Sequence, residues 1–247
     1  MNKIIMVFVV CAAMTGVSYG KVNPPDKIGA VVIGMENSKT FGNCLGSKYD
    51  SDRMKSLFSK WTDNVTLLQD SAATVSAVKS ALDKITDSDL MIVYYSGHGG
   101  NYKFPDTKDE EDGMDEFLCL WDNYLRDNEI WNIITKCRGR VWLIFDCCHS
   151  RTMFKMLYFT QASAVHALDT ATAPVNMMCW SGCNDDQYSY GSSAGGELTN
   201  AFFKYYKEGI TYSDLWSKIQ KDTHLKTMQT VYMTIIGSGF EKKKVME

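Results

Sequence analysis

Proline is scarce in this chain, 4 in 247 residues, and neither charge sign predominates: Lys+Arg 26 against Asp+Glu 29 gives a formal net charge of −3. So little proline, with only 18 glycines, excludes collagen-like and proline-rich disordered classes. The charge balance leaves no basic footprint for nucleic acid. No internal repeat and no low-complexity linker is present, and no apolar run reaches the ~20 residues that a membrane-spanning helix needs. Paired C-x-x-C sets are missing too, which argues against structural zinc. What remains, 45% hydrophobic and 22% charged residues, is ordinary for one globular domain with a sizeable core.

Residues 1–20 (MNKIIMVFVVCAAMTGVSYG) read as an export signal. Lys3 supplies the positive end, residues 4–13 are apolar and uncharged, and Ser18 and Gly20 are the small residues before a cut at Lys21. A buried first helix is the alternative. A lipid anchor on Cys11 is disfavoured by the bulky Val9 and Val10 before it. The expectation is a secreted or periplasmic protein with no membrane association once the signal is removed. Its one domain covers residues 21–247, with a large part over 21–160 and a small part over 170–247. Seven cysteines stay in the mature chain, an odd number, so at least one thiol is unpaired within a monomer.

Hydrophobic periodicity organises the rest. Residues 28–35 (IGAVVIGM), 65–68 (VTLL), 90–95 (LMIVYY), 141–145 (VWLIF) and 175–180 are short apolar runs read as strands, most of them buried. Residues 117–121 form a further short strand, and residues 231–236 a last one. Met54, Leu57, Phe58 and Trp61 recur at helical spacing, as do Val75, Val78, Leu82 and Ile85 behind a capping Ser71. Ile130, Ile133, Ile134 and Cys137 give another stripe, then Leu198, Ala201, Phe202 and Tyr205, then a helix over 212–221. Residues 151–174 read as an exposed connection. Strands alternating with amphipathic helices imply an α/β fold, a mostly parallel sheet with helices on both faces. In such sheets ligands sit beyond the carboxyl ends of the strands.

Two motifs fall there. The strand LMIVYY runs into Ser96-Gly97-His98-Gly99-Gly100, and VWLIF runs into Asp146-Cys147-Cys148-His149-Ser150. A cysteine nucleophile needs a nearby base in a rigid turn, and glycines beside His98 allow close approach of a substrate backbone. The Gly99 N–H is then available as an oxyanion donor. A lone histidine or buried cysteine is usually structural; two such sites on neighbouring strands point to chemistry.

Together, YYSGHGG and FDCCHS resemble the caspase-like cysteine peptidases, the metacaspases most. The resemblance runs in strand order over nearly all of the mature chain and implies a caspase-like three-layer sandwich with a six-stranded sheet. It implies His98 as base and proton shuttle, Cys148 as nucleophile, and an oxyanion hole from the N–H groups of Gly99 and Cys148. It also implies an acidic primary pocket selecting Arg or Lys. Tyr49-Asp50 is similar to the family's N-D pair, and Ser181-Gly182-Cys183-Asn184-Asp185-Asp186-Gln187 to its S-G-C-x-D-x-Q segment. Asp146 and Asp50, with Ser96 as a polar wall and Asp185 behind them, are the expected substrate-binding residues. Such carboxylates would give an Arg side chain charge-assisted hydrogen bonds. A solvated loop acid is the plainer reading of Asp185.

Residues 106–116 (DTKDEEDGMDE) hold seven carboxylates, an oxygen-only set that suits calcium rather than zinc. The stretch is not an EF-hand, since Lys108 stands where the first ligand would be. It resembles the metacaspase D-E-x-D-G-x-D-E segment, which implies calcium as an activator, with Asp115, Asp127 and Asn128 at the ligand positions. Where the family has a further aspartate, Met153, Phe154 and Lys155 stand, and Arg151 replaces a customary glycine. The reading is thus a cysteine endopeptidase cutting after Arg or Lys in proteins or peptides, needing no cofactor for the chemistry itself. The competing readings are an inactive caspase-fold binding protein and a metal site made by His98, Cys147, Cys148 and His149. Adjacent cysteines pointing different ways give the last poor geometry.

Overall fold

The computed structural model describes residues 25, 27–105, 114–148, 175–183, 191–237 and 239–247. Its elements in chain order are β1 Ile28–Gly34, β2 Asn37–Ser38, β3 Gly42–Asn43, α1 Ser47–Phe58, β4 Val65–Gln69, α2 Val75–Asp83 and β5 Leu90–Ser96. Then come β6 Gly99–Tyr102, β7 Asp115–Cys119, β8 Tyr124–Arg126, α3 Asp127–Ile134, β9 Arg140–Asp146 and β10 Asn176–Ser181. The last are β11 Gly191–Ser192, β12 Gly195–Gly196, α4 Glu197–Tyr205, α5 Tyr212–Gln220, α6 Thr223–Met228 and β13 Tyr232–Ile236.

Six strands build the central sheet in the order β13-β10-β9-β5-β1-β4. All neighbours pair parallel except β10 with β13, which is antiparallel. The fully buried strands β1, β5 and β9 are the continuous apolar runs of the sequence, as expected for strands covered on both faces. Because side chains alternate along a strand, each run divides between two cores. Val31, Ile33, Val93, Tyr95, Leu143 and Phe145 pack against α2 and α3 through Val78, Leu82, Ile130 and Ile134. Val32, Ile92, Tyr94, Trp142 and Ile144 face α1, α4 and α5 through Met54, Phe58, Phe202, Tyr212 and Trp216. Two helical layers around one sheet make the expected three-layer α/β sandwich. Burying a large apolar side chain such as Phe145 in the first core or Phe58 in the second stabilises each by about 1.5–3 kcal/mol.

Several local expectations need correction. Ser71 does not cap α2: it sits in a 3₁₀ turn over Asp70–Ala72, and Thr74 is the cap, its hydroxyl accepting from Ala77 N–H at 3.2 Å. The turn is fixed from afar, because the Asp70 carboxylate accepts the Glu36 and Asn37 N–H groups at 3.1 and 2.8 Å. Trp61 lies beyond the end of α1, and Cys137 beyond α3, though Cys137 stays in the same core. The short strand expected at 117–121 is β7, Asp115–Cys119, and it belongs to a separate antiparallel sheet with β6 and β8. The short helix α6 and the two-residue hairpins β2–β3 and β11–β12 were not foreseen. Among the described residues no helix is long and apolar enough to cross a membrane. The proposed signal over 1–20 and the connection over 151–174 lie outside the described residues.

Candidate active site

The register of the sheet brings the two motifs together. Ser96, the last residue of β5, pairs with Asp146, the last residue of β9. His98 and Cys148 therefore stand equally two residues beyond the ends of adjacent parallel strands. Both are half-buried, whereas Cys147 is 1% exposed and packs in the α2/α3 core. Burial pushes the Cys147 thiol well above its ordinary range, so this sulfur is neither accessible nor readily ionised. Of the adjacent pair, Cys148 is the more exposed thiol.

His98 is oriented by the chain before α1. Its Nε2 lies 3.1 Å from the Asn43 carbonyl oxygen. A carbonyl can only accept, so Nε2 carries the proton and Nδ1 is left as the basic nitrogen. The His98 carbonyl accepts from the Tyr95 hydroxyl at 2.6 Å and from the Cys119 N–H at 3.0 Å. That second bond sets the β6–β7 ladder. Gly99 opposes Leu118 in the next, non-hydrogen-bonded pair, so its N–H turns away from β7 toward the open edge. Glycine is required at 99 by proximity: a Cβ there would fall 2.3 Å from the Cys148 carbonyl oxygen and 3.1 Å from Cys147 Sγ.

On the α1/α4 side of the same strand ends, two carboxylates converge. Asp50 on α1 and Asp146 at the end of β9 are buried, at 0% and 4% exposure, with Ser96 between them at 3%. Asp50 Oδ2 accepts from Gly196 N–H at 2.7 Å and from the Ser96 hydroxyl at 3.3 Å, while its Oδ1 meets Arg53 Nη2. Asp146 Oδ2 accepts from both the N–H and the hydroxyl of Thr199 at 2.8 Å, and the Tyr94 hydroxyl shares a 2.7 Å bond with that same Thr199 hydroxyl. Burial and then the neighbouring Asp146 charge raise the Asp50 carboxyl to about 7, against the Gly196 N–H and Arg53, which pull it down. The β11–β12 hairpin covers both acids closely. A Cβ on Gly195 would lie 2.2 Å from Asp50 Oδ1, and one on Gly196 2.4 Å from Asp146 Oδ2. Gly46 fits beneath it at φ 89°, where a Cβ would meet the Ser192 carbonyl at 2.1 Å.

The third set of residues lies around Arg126. Asp115 and Asp127 are both fully buried, and Asn128 Nδ2 donates to Asp115 Oδ1 at 3.4 Å. The cation at Asp115 is the Arg126 guanidinium, which meets Oδ2 and stacks 4.5 Å over the Phe104 ring. Asp127 Oδ1 accepts from Asn128 N–H at 2.7 Å. Among the described residues no group of three His, Cys, Asp or Glu side chains could hold a metal ion. Asp115, Asp127 and Asn128 supply oxygen donors alone, the chemistry of a calcium site, with the Arg126 guanidinium already on Asp115. The acid-rich residues 106–113 lie outside the described residues, as do Asp185, Arg151, Lys155 and the His149 of the metal-site reading.

Asp50, Ser96, Asp146, His98, Gly99 and Cys148 thus lie around the ends of three elements, β5, β9 and α1. Sequence reasoning missed Asn43, Thr199, Arg53 and the glycines 195 and 196. Thr199 and the glycines carry no charge, and their contacts span distances of chain that no periodicity reports. All seven cysteines among the described residues are free thiols.

Comparison with known proteins bears on the family and the fold. The Caspase domain family (Peptidase_C14) matches residues 28–244. A "Metacaspase III c" of Phaeodactylum tricornutum is 27% identical over 150 residues, covering 55% of this chain and 44% of the relative. "Metacaspase-4" of Arabidopsis thaliana is 29% identical over 137 residues, covering 49% of this chain and 33% of the relative. The chain thus spans less than half the length of these two relatives. Among solved structures, a Geobacter sulfurreducens protein superposes with a TM-score of 0.70 at 24% identity, covering 89% of this chain and 98% of that one. "Caspase-1" of Spodoptera frugiperda superposes with a TM-score of 0.62 at 12% identity, covering 92% and 95%. These two likenesses concern the fold.

Proposed function

For a chain that belongs to the caspase-domain family, we propose cysteine-type endopeptidase activity carried by Cys148 and His98 and directed to bonds after Arg or Lys. Cys148 Sγ attacks the scissile carbonyl as its proton passes to His98 Nδ1. The oxyanion that forms is met by the N–H groups of Gly99 and Cys148. His98 then gives the proton to the leaving amine as the C–N bond breaks, and water hydrolyses the resulting thioester. The observation that supports this reading is the Ser96–Asp146 register, from which each chain runs two residues on, to His98 and to Cys148. No cofactor takes part in these steps.

Substrate choice follows from the acids on the α1/α4 side. A guanidinium or ammonium group would meet Asp146 and Asp50 with Ser96 as a wall, where a P1 aspartate would be repelled. Both acids lie under the Gly195–Gly196 turn, so a basic side chain reaches them only as that turn yields. Asp185 belongs to the same reading as an outer acid. Calcium enters as an activator at the acid-rich stretch 106–116, with Asp115, Asp127 and Asn128 at the ligand positions, and no step depends on it. The leader-like residues 1–20 support a secreted or periplasmic protein, a placement tested by N-terminal sequencing of exported protein.

The deciding experiment offers matched fluorogenic peptides ending in Arg, Lys or Asp to protein starting at Lys21, reduced, with calcium or chelator, beside Cys148→Ala. Cleavage after Arg or Lys that vanishes in the variant is expected. Cleavage after Asp alone overturns the pocket assignment. Silence from folded protein with a titratable Cys148 thiol overturns the peptidase reading in favour of a caspase-fold binding protein.

A further inference from the structure

Arg53 is placed unusually for a surface-helix cation. It lies one turn beyond Asp50 on α1, and its guanidinium is clamped between two rings, 4.3 Å over Tyr49 and 4.7 Å over Phe203. Nη2 meets Asp50 Oδ1 and donates to Asn200 Oδ1 at 2.8 Å. Asn200 in turn donates to the Gly195 carbonyl at 3.4 Å, so the same arginine ties α1 to α4 and to the turn covering the acids. Its side chain is 21% exposed, against 0% for Asp50. A planar fork stacked on aromatic faces loses little further freedom in holding a carboxylate.

We propose that Arg53 is a positioning residue for the substrate pocket: its fixed guanidinium supplies the charge that lets Asp50 ionise beside Asp146 and keeps that carboxylate aimed at an incoming basic side chain. The proposal rests on the reading that these acids receive the residue before the cut. Two buried carboxylates at one site do not both ionise unaided, and one retains a proton unless a cation or N–H donor compensates. The groups facing Asp50 are few. Asp146 from β9 opposes its ionisation, and the Cys44 thiol and the Tyr94 phenol from β5 are neutral at ordinary pH, each pushed up first by burial. Gly196 N–H from β12 favours ionisation, and the Ser96 hydroxyl donates from β5. Among the described residues Arg53 is the one positive charge of this set. The balance leaves Asp50 at about 7, so loss of the guanidinium tips it to the neutral acid across the neutral range.

The test is a pH titration of ¹³C-aspartate-labelled full-length protein followed by carboxyl NMR, with Asp50→Asn and Asp146→Asn for assignment. Arg53→Met keeps a stem between Tyr49 and Phe203 without the charge, Arg53→Gln is its polar counterpart, and Arg53→Lys keeps the charge. The Asp50 midpoint should rise by about one unit or more in the uncharged variants and by less in Arg53→Lys. The acid limb of kcat/KM for an Arg peptide should move with it, roughly a fivefold loss or more near pH 7, approaching about tenfold at lower pH and recovered at higher pH. An unmoved midpoint, or a kcat/KM loss equal at every pH, overturns the proposal. So does loss of the fold in both uncharged variants with Arg53→Lys intact, which would make the residue structural. Failure of the wild-type protein to cleave any basic peptide sinks the substrate reading instead, while the carboxyl titration still decides the role of Arg53.

Discussion

Gly99 and Cys148 approach so closely that a single methyl group on Gly99 would fall 2.3 Å from the Cys148 carbonyl oxygen. The obstructing atom is backbone, which cannot swing aside as a side-chain tip could. Gly99→Ala must therefore push the nucleophile loop away from β6 and spoil the alignment of the Gly99 and Cys148 N–H groups. The expected loss in kcat/KM is roughly 100-fold or more, the scale of one misplaced oxyanion donor. Circular dichroism should remain that of the wild type, because β6 lies at a sheet edge. A variant of unchanged activity would mean that the two segments separate in solution.

The sheet, and the placing of His98 and Cys148 beyond the ends of adjacent strands, were legible in the sequence for a common reason. Strands buried on both faces have to be continuous apolar runs, and 28–35, 90–95 and 141–145 have no other plausible use. The residues just beyond such runs then mark the site. What was illegible depends on contacts between distant parts of the chain. Thr199 reaches Asp146 across 53 residues and Gly196 reaches Asp50 across 146, and neither threonine nor glycine announces a carboxylate partner. The Ser71 cap failed because Asp70, fixed by N–H groups from beyond β1, makes a turn there that local propensity does not encode. At Asp115 a count of acids between 106 and 116 leaves out the Arg126 guanidinium that meets it.

Asp50 should leave a signature in stability as well as in activity. Its folded pKa of about 7 is raised above the ordinary value of 3.8, so the folded state prefers the protonated acid. The favourable contribution is fully present below the ordinary value and is lost as pH rises through about 7. At about 1.4 kcal/mol per unit this amounts to a few kcal/mol at most. Urea unfolding of Cys148→Ala at pH 5 and pH 8 is expected to give lower stability at the higher pH. Adding Asp50→Asn should flatten the difference; an equal slope with and without it would assign the effect elsewhere.

Asp222 should act in the opposite direction. It caps α6, accepting the Leu225 N–H at 2.9 Å, and also meets Lys204 Nζ at 2.6 Å and the Tyr205 hydroxyl at 2.9 Å. Burial alone would raise its pKa, but the Lys204, Leu225 and Tyr205 contacts together hold the carboxyl far below the usual range. Its stabilisation is therefore present above the ordinary carboxylate range and is lost as pH falls below it. Lys204 is more than half exposed, so the ion pair itself is screened and the cap carries most of the effect. Asp222→Ala is expected to cost about 1–2 kcal/mol at neutral pH, with Asp222→Asn retaining much of the cap. The two variants are compared by thermal melts at pH 7 and pH 3.

Arg126 offers a direct test of which cation serves the buried acids near β7. Its guanidinium meets Asp115, whose side chain is fully buried, and removing one partner of such a pair leaves a charge without its counterion. Arg126→Gln should therefore destabilise the protein by roughly 3 kcal/mol. The wild-type melting midpoint should be the same in calcium and in chelator if the arginine is the resident cation. In the variant, calcium should raise the midpoint, because Asp115 and Asp127 then have room for an ion in place of the guanidinium. A wild-type midpoint that itself climbs with calcium would show that the folded protein binds the ion with Arg126 present. The same titration read as peptide cleavage would then tell whether that binding switches activity or only stability.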